Sequence, residues 1–369
     1  MRAAIIFLLS CAALLNDGPS HMHVMRAAII FLLACAALLN DGPSHMHVMR
    51  AAIIFLLACA CLVGCARTRP LSRVELEPTP PRRLALAVAE PRRIIVVDGV
   101  SIAIHDSDPT GAKPTIIGLH AIGHGGGDFA SFEQAFRDRF RVITVDWPGH
   151  GASGQDAQPA SARRYAALLL GLIEALDLDQ PILFGNSVGG AAALQLAQQH
   201  PARVRALVLC NPGGLDPGGC ISGLFIDHLV ARFRRGAAGD PRFRDWFARY
   251  YADILLGTAA AQRRDAIVAA GYETAPRLVE AWTSFARADA DLRAGLPALR
   301  QPVFVGWAMR DRLVRWGRNR AAVASIPNAT VVRFENSGHA PFLEEPEAFN
   351  AAVRPFLDAL RWPSVGTER

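Results

Sequence analysis

Three residues far apart in the 369-residue chain have the types needed to open an acyl group: Ser187, Asp311 and His339. A serine hydroxyl is a poor nucleophile until a base takes its proton, and an imidazole base works best when a carboxylate fixes its tautomer. Ser187 sits in Gly185-Asn186-Ser187-Val188-Gly189, between the apolar run Pro181-Ile182-Leu183-Phe184 and the small-residue stretch Gly190-Ala191-Ala192-Ala193-Leu194. A strand that turns this sharply into a helix needs glycines around the turning residue, since side chains there would collide. Such an elbow holds the hydroxyl clear of the sheet and beside a helix N-terminus, where developing negative charge is favoured. Asp311 follows the apolar run Val303-Phe304-Val305-Gly306-Trp307, and His339 lies in Ser337-Gly338-His339-Ala340-Pro341, after Val331-Val332-Arg333-Phe334.

The elements that must carry these residues alternate. Ile94-Ile95-Val96-Val97, Asp98-Gly99 and Val100-Ser101-Ile102-Ala103-Ile104 read as a hairpin with a tight turn. Beyond it, strands are expected over 115–120, 141–146, 181–186, 204–210, 302–308 and 330–335, with helices near 128–138, 161–176, 188–199, 315–325 and 345–360. Continuous apolar strands joined by crossover helices predict an α/β fold, a mostly parallel sheet covered on both faces, with ligands at the carboxyl ends of its strands. Residues 92–214 and 298–369 form this core, and 215–297 is expected to be an inserted helical cap, having no convincing strand. The cap is rich in aromatic residues: Phe225, Phe233, Phe243, Trp246, Phe247, Tyr250, Tyr251, Trp282 and Phe285. Most should pack inside the cap, and a few should face a pocket for an apolar or aromatic substrate portion.

With Leu119-His120-Ala121-Ile122-Gly123, the segment Asp146-Trp147-Pro148-Gly149-His150-Gly151-Ala152-Ser153, the elbow, Gly306 to Asp311, and Gly338-His339 with Glu344-Glu345-Pro346, residues 92–369 resemble the α/β-hydrolase fold superfamily with a helical cap. The resemblance implies Ser187 as nucleophile, His339 as general base and then acid, and Asp311 as the orienting carboxylate. It also implies an oxyanion hole made by the backbone N–H groups of Val188 and Ile122. Ala121 stands where related sequences usually have glycine, and a competing alignment would use His124-Gly125-Gly126-Gly127 instead. Asp216 is the reserve acid. His120 is expected to support its loop by hydrogen bonds, His150 to be structural, and Glu344, Glu345 and Pro346 to start the last helix. The implied activity is serine ester hydrolysis through an acyl-enzyme on a partly apolar small molecule, with no metal, nucleotide or flavin cofactor. Hydrolysis of a carbon–carbon bond in ring-fission products is the alternative, since Gly185-Asn186-Ser187-Val188-Gly189-Gly190 before a cap also resembles that group. A cofactor-free haloperoxidase or perhydrolase and a catalytically silent binding lipoprotein are further readings. Serine at 187 disfavours chemistry that uses an aspartate nucleophile.

The N-terminal region has a different organisation. Residues 1–24 and 25–48 are the same except for Ser10 and Ala34, and 49–60 begin the unit again. Its apolar stretch, such as Ala3 to Leu15, would span about 20 Å as a helix, which suits a secretory h-region better than a membrane span. The third copy ends in Leu62-Val63-Gly64-Cys65, which resembles the lipobox of bacterial lipoproteins. Translation is therefore expected to begin at Met49, with 1–48 a duplicated leader and 49–64 a signal peptide. Cys65 is then the acylated residue, tying the protein to the membrane of the cell envelope; a plain signal peptide is the rival reading. Residues 65–91, with Pro70, Pro78, Pro80, Pro81 and Pro91, read as a tether. Of seven cysteines only Cys210 and Cys220 fall in the folded body, as two free thiols or a closed loop. The 51% hydrophobic content suffices for a large core. The +6 formal charge comes from scattered arginines, Lys113 being the sole lysine, so no stripe suited to nucleic acid is present.

Overall fold

The computed structural model describes residues 92–361 except 112 and 217. The duplicated leader, the signal peptide, Cys65 and the tether to residue 91 lie outside the described residues. The chain opens with β1 (Arg93–Val97) and β2 (Val100–Asp106), an antiparallel pair whose turn has positive φ at both Asp98 (49°) and Gly99 (75°). That geometry matches strand twist and is readily adopted by an Asp-Gly pair. β3 (Thr115–Leu119), α1 (Ala130–Phe136), β4 (Arg141–Val145), α2 (Ala162–Ala175), β5 (Ile182–Asn186), α3 (Val188–Gln199) and β6 (Ala206–Cys210) follow. Next come four helices, α4 (Cys220–Ala237), α5 (Phe243–Ile254), α6 (Ala261–Ala269) and α7 (Gly271–Phe285), before β7 (Val303–Ala308). The chain then forms α8 (Trp316–Ala324), β8 (Ala329–Phe334), α9 (Pro341–Glu344) and α10 (Pro346–Ala359).

The strands form one eight-stranded sheet in the order β1-β2-β4-β3-β5-β6-β7-β8, parallel from β4 onward. Every residue of β4, β5, β6 and β7 is buried, the physical basis of the apolar runs in β5, β6 and β7, whereas the edge strands β1 and β8 are largely open to solvent, with one buried residue each. From β3 the chain moves to β4 on one side and returns to β5 on the other. The loops leaving β3 and β5 therefore diverge at a topological switch point, the crevice where open parallel sheets receive ligands.

The expected elements hold to within a few residues, and the differences have local causes. The segment 204–205 precedes β6 after a short 3-10 turn at Pro201–Arg203, and the helix expected from 128 starts at Ala130 after a 3-10 turn at Gly126–Phe129. The last helix is broken: proline disfavours helical geometry in the residue before it, so Glu345 takes φ −133° and ψ 59° between α9 and α10. Glu344 thus closes α9, and Pro346 opens α10.

Packing beneath the elbow is aromatic. Phe184, the residue before Gly185, meets Phe129, Phe132, Phe342 and Phe349 at ring separations of 4.9, 4.8, 5.1 and 5.4 Å. Truncating such a buried phenylalanine costs about 3–5 kcal/mol, so the strand end carrying Ser187 rests on a firm support. Among the insertion aromatics, Phe233, Phe243 and Phe247 are buried together, with Phe243 and Phe247 stacked at 4.9 Å. Cys210 is a buried free thiol; the side chain of Cys220 lies outside the described residues.

Candidate active site

Ser187 occupies the turn between β5 and α3 with φ 55° and ψ −116°. The flanking glycines are sterically required: a Cβ on Gly185 would lie 2.5 Å from Gly189 O, and one on Gly189 would lie 2.2 Å from Leu119 O. The second contact brings α3 against the end of β3, so the two loops of the switch point touch. Asn186 pins the turn from below, its Nδ2 donating to Cys210 O (2.9 Å) and to His339 O (3.1 Å). The elbow is thereby joined to the histidine loop by a direct bond.

Asp311 and His339 meet across the ends of β7 and β8, with Asp311 Oδ2 2.7 Å from His339 Nδ1. The same carboxylate accepts from Asn211 Nδ2 (2.7 Å) and, through Oδ1, from the amides of Leu313 (2.7 Å) and Val314 (3.1 Å). Its sequence neighbours Arg310 and Arg312 do not claim it, and Arg312 pairs with Asp253. Asp216 is bound to Arg318 and does not approach His339. Asn211 also exchanges hydrogen bonds with Ala308, fixing the end of β7 to the end of β6.

A buried carboxylate orders the histidine loop. Glu344 accepts from five backbone amides, those of His339 and Ala340 at Oε1 and of Leu256, Gly257 and Gly338 at Oε2. Two of these amides, Leu256 and Gly257, belong to the insertion. Burial on its own would lower the His339 pKa, but the charge and hydrogen bond of Asp311, helped by Glu344, prevail and raise it above the ordinary 6.5.

Ser187 and His339 line one small cavity of about 10 Å³, with Ile122, His124, Tyr250, Tyr251 and Trp282 among its walls. That space corresponds to roughly one water molecule, so the insertion lies closely over the serine. Among the described residues no hydrogen bond joins Ser187 Oγ to His339 Nε2; such contacts commonly tighten only with substrate seated. A larger cavity of about 410 Å³, bordered by Arg232, Arg242, Trp246 and Arg249, contains none of the three predicted residues.

The loop after β3 carries both predicted oxyanion alignments. The amides of Gly123, His124 and Gly126 are engaged with His150 Nε2, Ala121 O and Asp146 Oδ1, whereas those of Ile122 and Gly125 have no acceptor among the described residues. Gly123 takes φ 81°, and a Cβ there would lie 2.9 Å from Tyr251 Oη. His120 and His150 are both structural, as expected. His120 Nε2 accepts from Trp147 N–H and its Nδ1 donates to Ala121 O, while burial, with His150 nearby, keeps its pKa well below 6.5. Burial likewise pulls His150 down to about 4, Arg277 acting with it and the Pro148 carbonyl against it.

Sequence reasoning missed Asn211, the carboxylate role of Glu344, and a set made of buried His124 and Asp128 with half-buried Arg263. Asn211 follows β6 directly, as Ser187 follows β5, a positional signal. Glu344 lies within one turn of Ala340, and Asp128 sits four places after His124, the spacing of side-chain partners on a helix. Arg263 left no local signal.

Comparison with known proteins places these observations in a wider set. The profile of the alpha/beta hydrolase fold matches residues 114–346. The chain is 31% identical over 264 residues to the pimeloyl-acyl-carrier-protein methyl ester esterase of Stenotrophomonas maltophilia strain K279a, covering 69% of this chain and 96% of that protein. It is 27% identical over 282 residues to a 2-hydroxy-6-oxononadienedioate/2-hydroxy-6-oxononatrienedioate hydrolase of Cupriavidus pinatubonensis, covering 72% and 94%. A solved thermophilic esterase from Thermogutta terrifontis superposes with a TM-score of 0.63 at 23% identity, covering 74% of this chain and all of that one.

Proposed function

Since this chain belongs to the α/β-hydrolase fold family, we propose that it is a serine hydrolase that cleaves carboxylic esters through an acyl-enzyme. The observation that carries the reading is the 2.7 Å pairing of Asp311 with His339 Nδ1, in a cavity whose wall also holds Ser187 on its elbow. With Nδ1 held by Asp311, His339 Nε2 is the basic nitrogen left for the serine proton. Ser187 Oγ attacks the ester carbonyl as His339 takes that proton. The carbonyl oxygen becomes an oxyanion, held by the N–H groups of Val188 and Ile122, the first at the start of α3 and the second without another acceptor. The tetrahedral species collapses, His339 returns the proton to the departing alkoxide, and the alcohol leaves. Water then attacks the acyl-serine, again giving its proton to His339, and the acid departs with Ser187 restored.

A fluorophosphonate probe tests this reading. Wild type should label at Ser187 and Ser187→Ala should not; a folded wild type that resists labelling would favour the silent binding protein. The bond cleaved is tested by p-nitrophenyl esters of increasing acyl length beside a vinylogous ring-fission diketone. Turnover of the diketone alone would replace ester cleavage by carbon–carbon hydrolysis, the reading that similarity to the Cupriavidus hydrolase favours. We further assign Cys65 as a lipidation site on an exported envelope protein, from the apolar run and small residues before it. Mass spectrometry of the mature N-terminus should find an acylated Cys65; a peptide retaining residues 25–48 would end that assignment.

A further inference from the structure

The ester-hydrolase reading makes no use of the outer surface of the insertion, and the charge there is uneven. Between Leu224 and Arg249 the chain carries six arginines and three aspartates, with no lysine or glutamate. The fold gathers four of the six. Arg232 and Arg235 from α4, Arg242 just before α5 and Arg249 within it border the cavity of about 410 Å³ together with Trp246 and Asp245. Asp240, between the two helices, draws Nε of Arg235 (2.6 Å) and of Arg242 (3.4 Å), so it offsets one charge of that pair. Arg232 lies over the Trp246 ring, 6.0 Å from its centre, an arrangement that keeps its charge. Arg249 is exposed and has no carboxylate partner among the described residues. The cavity is thus a cationic recess with an aromatic wall, suited to anions.

The same helix is apolar toward its other end. Leu224, His228, Ala231 and Arg235, four, three and four places apart, share one exposed face of α4, and Leu224 lies about 16 Å along the helix from Arg235. Leu224 is 51% exposed and Phe225 37%. Of the other large apolar side chains open to solvent among the described residues, Ile94, Val96 and Val331 lie on the edge strands of the sheet, and the Tyr272 hydroxyl donates to the carbonyls of Asp240 and Pro241. Phe225 also reaches toward the active site: its ring meets that of Trp282 at 6.0 Å, and Trp282 borders the Ser187 cavity. A helix whose outer face is apolar at one end and arginine-rich at the other has the chemistry of one lying on an anionic bilayer, with apolar side chains at the headgroup boundary and guanidinium groups on the phosphates. An acidic protein surface matches the arginines; a bilayer matches the arginines and the two apolar side chains together.

We propose that the outer face of α4 and α5 docks on a membrane bearing anionic phospholipid, with Leu224 and Phe225 at the headgroup boundary and Arg232, Arg235, Arg242 and Arg249 on the phosphates. Docking brings the Trp282 side of the Ser187 cavity toward the lipid, the phase that holds an apolar ester. The inference goes beyond the ester-hydrolase reading and does not depend on acylation of Cys65.

The test is sedimentation of the full protein with vesicles of phosphatidylcholine alone and of phosphatidylcholine mixed equally with phosphatidylglycerol. Wild type should favour the anionic vesicles, and high salt should erase the preference. An acyl chain or an apolar leader enters both vesicles alike, so the ratio of the two affinities reports charge rather than anchoring. Arg242→Gln combined with Arg249→Gln should lower that ratio by about 20- to 30-fold, at roughly fivefold for each arginine at the surface. Arg137→Gln combined with Arg320→Gln, which removes two exposed arginines outside the insertion, should leave it near wild type. Leu224→Ser should weaken binding to the anionic vesicles several-fold without altering its salt dependence. Melting temperatures matching wild type verify that these variants are folded, and the wild-type ratio is read without them. Equal affinity of wild type for the two vesicles, or a double variant no weaker than its control, would overturn the docking while leaving the ester-hydrolase and Cys65 readings intact. Tighter retention by poly-glutamate than by anionic vesicles of equal charge would assign the face to an acidic protein and overturn it as well.

Discussion

Replacing Glu344 by glutamine keeps the volume of the side chain but turns one of its two acceptor oxygens into a donor. On one side that oxygen serves the amides of His339 and Ala340, on the other those of Leu256, Gly257 and Gly338. Whichever orientation the new amide adopts, at least two N–H groups lose their acceptor at a site only 5% exposed. At about 1–3 kcal/mol for each buried group left unsatisfied, and with partial relaxation, Glu344→Gln should lower unfolding stability by about 3 kcal/mol. Because the orphaned amides include that of His339 itself in one orientation and that of its neighbour Gly338 in the other, the imidazole should shift, and a displacement near 1 Å lowers kcat by about 100-fold. Removing the negative charge should also move the acid limb of the pH–rate profile downward, since Glu344 is among the groups that raise the His339 pKa. Urea denaturation followed by tryptophan fluorescence gives the first quantity, and p-nitrophenyl ester turnover across the neutral pH range gives the others. Exposed Glu347→Gln is the control. Were Glu344→Gln to unfold within about 0.5 kcal/mol of wild type with an unmoved acid limb, the carboxylate would not be organising this loop.

Other expectations follow from the same contacts. Wild-type kcat should rise with pH through a midpoint above 6.5, where the raised His339 pKa yields the neutral base; Asp311→Asn should lower kcat by about a thousandfold or more and move that midpoint down. Stability should fall as pH drops from 6.5 toward 4, because the unfolded chain takes protons that buried His120 and His150 refuse, with His150 accounting for about 3 kcal/mol. His339 acts in the opposite sense, its contribution complete below 6.5 and lost as pH rises through its folded value. Urea midpoints measured against pH, with His150→Gln to flatten the slope, check both signs. Gly189→Ala, whose new methyl would meet Leu119 O at 2.2 Å, should abolish ester turnover and lower the melting temperature; an active, equally stable variant would contradict the close approach of α3 to β3.

Much of the sheet is readable along the chain because its central strands are buried on both faces, which leaves unbroken apolar runs such as Ile182 to Phe184 and Val303 to Val305. Ser187 is legible for a related reason: its glycines answer a local steric demand. Partners chosen only by tertiary placement are different. Asn211 and Asp311 are 100 residues apart, Arg263 and Asp128 135, and Leu256 and Glu344 88. No periodicity links such pairs, so the carboxylate beneath the histidine loop and the arginine behind His124 emerge only when the strands are laid side by side. The break before Pro346 was visible as a proline, yet its consequence, freeing Glu344 to turn inward, depended on the amides waiting there.

The backbone angle at residue 187 sets durability against reactivity. A non-glycine residue at φ 55° and ψ −116° is held there by its neighbours at an expense of about 1–3 kcal/mol, and glycine would occupy the same angles freely. A chain carrying Ser187→Gly should therefore be inert and yet harder to melt than the working protein. If so, this fold forgoes part of its resilience at the one position where it needs an alcohol.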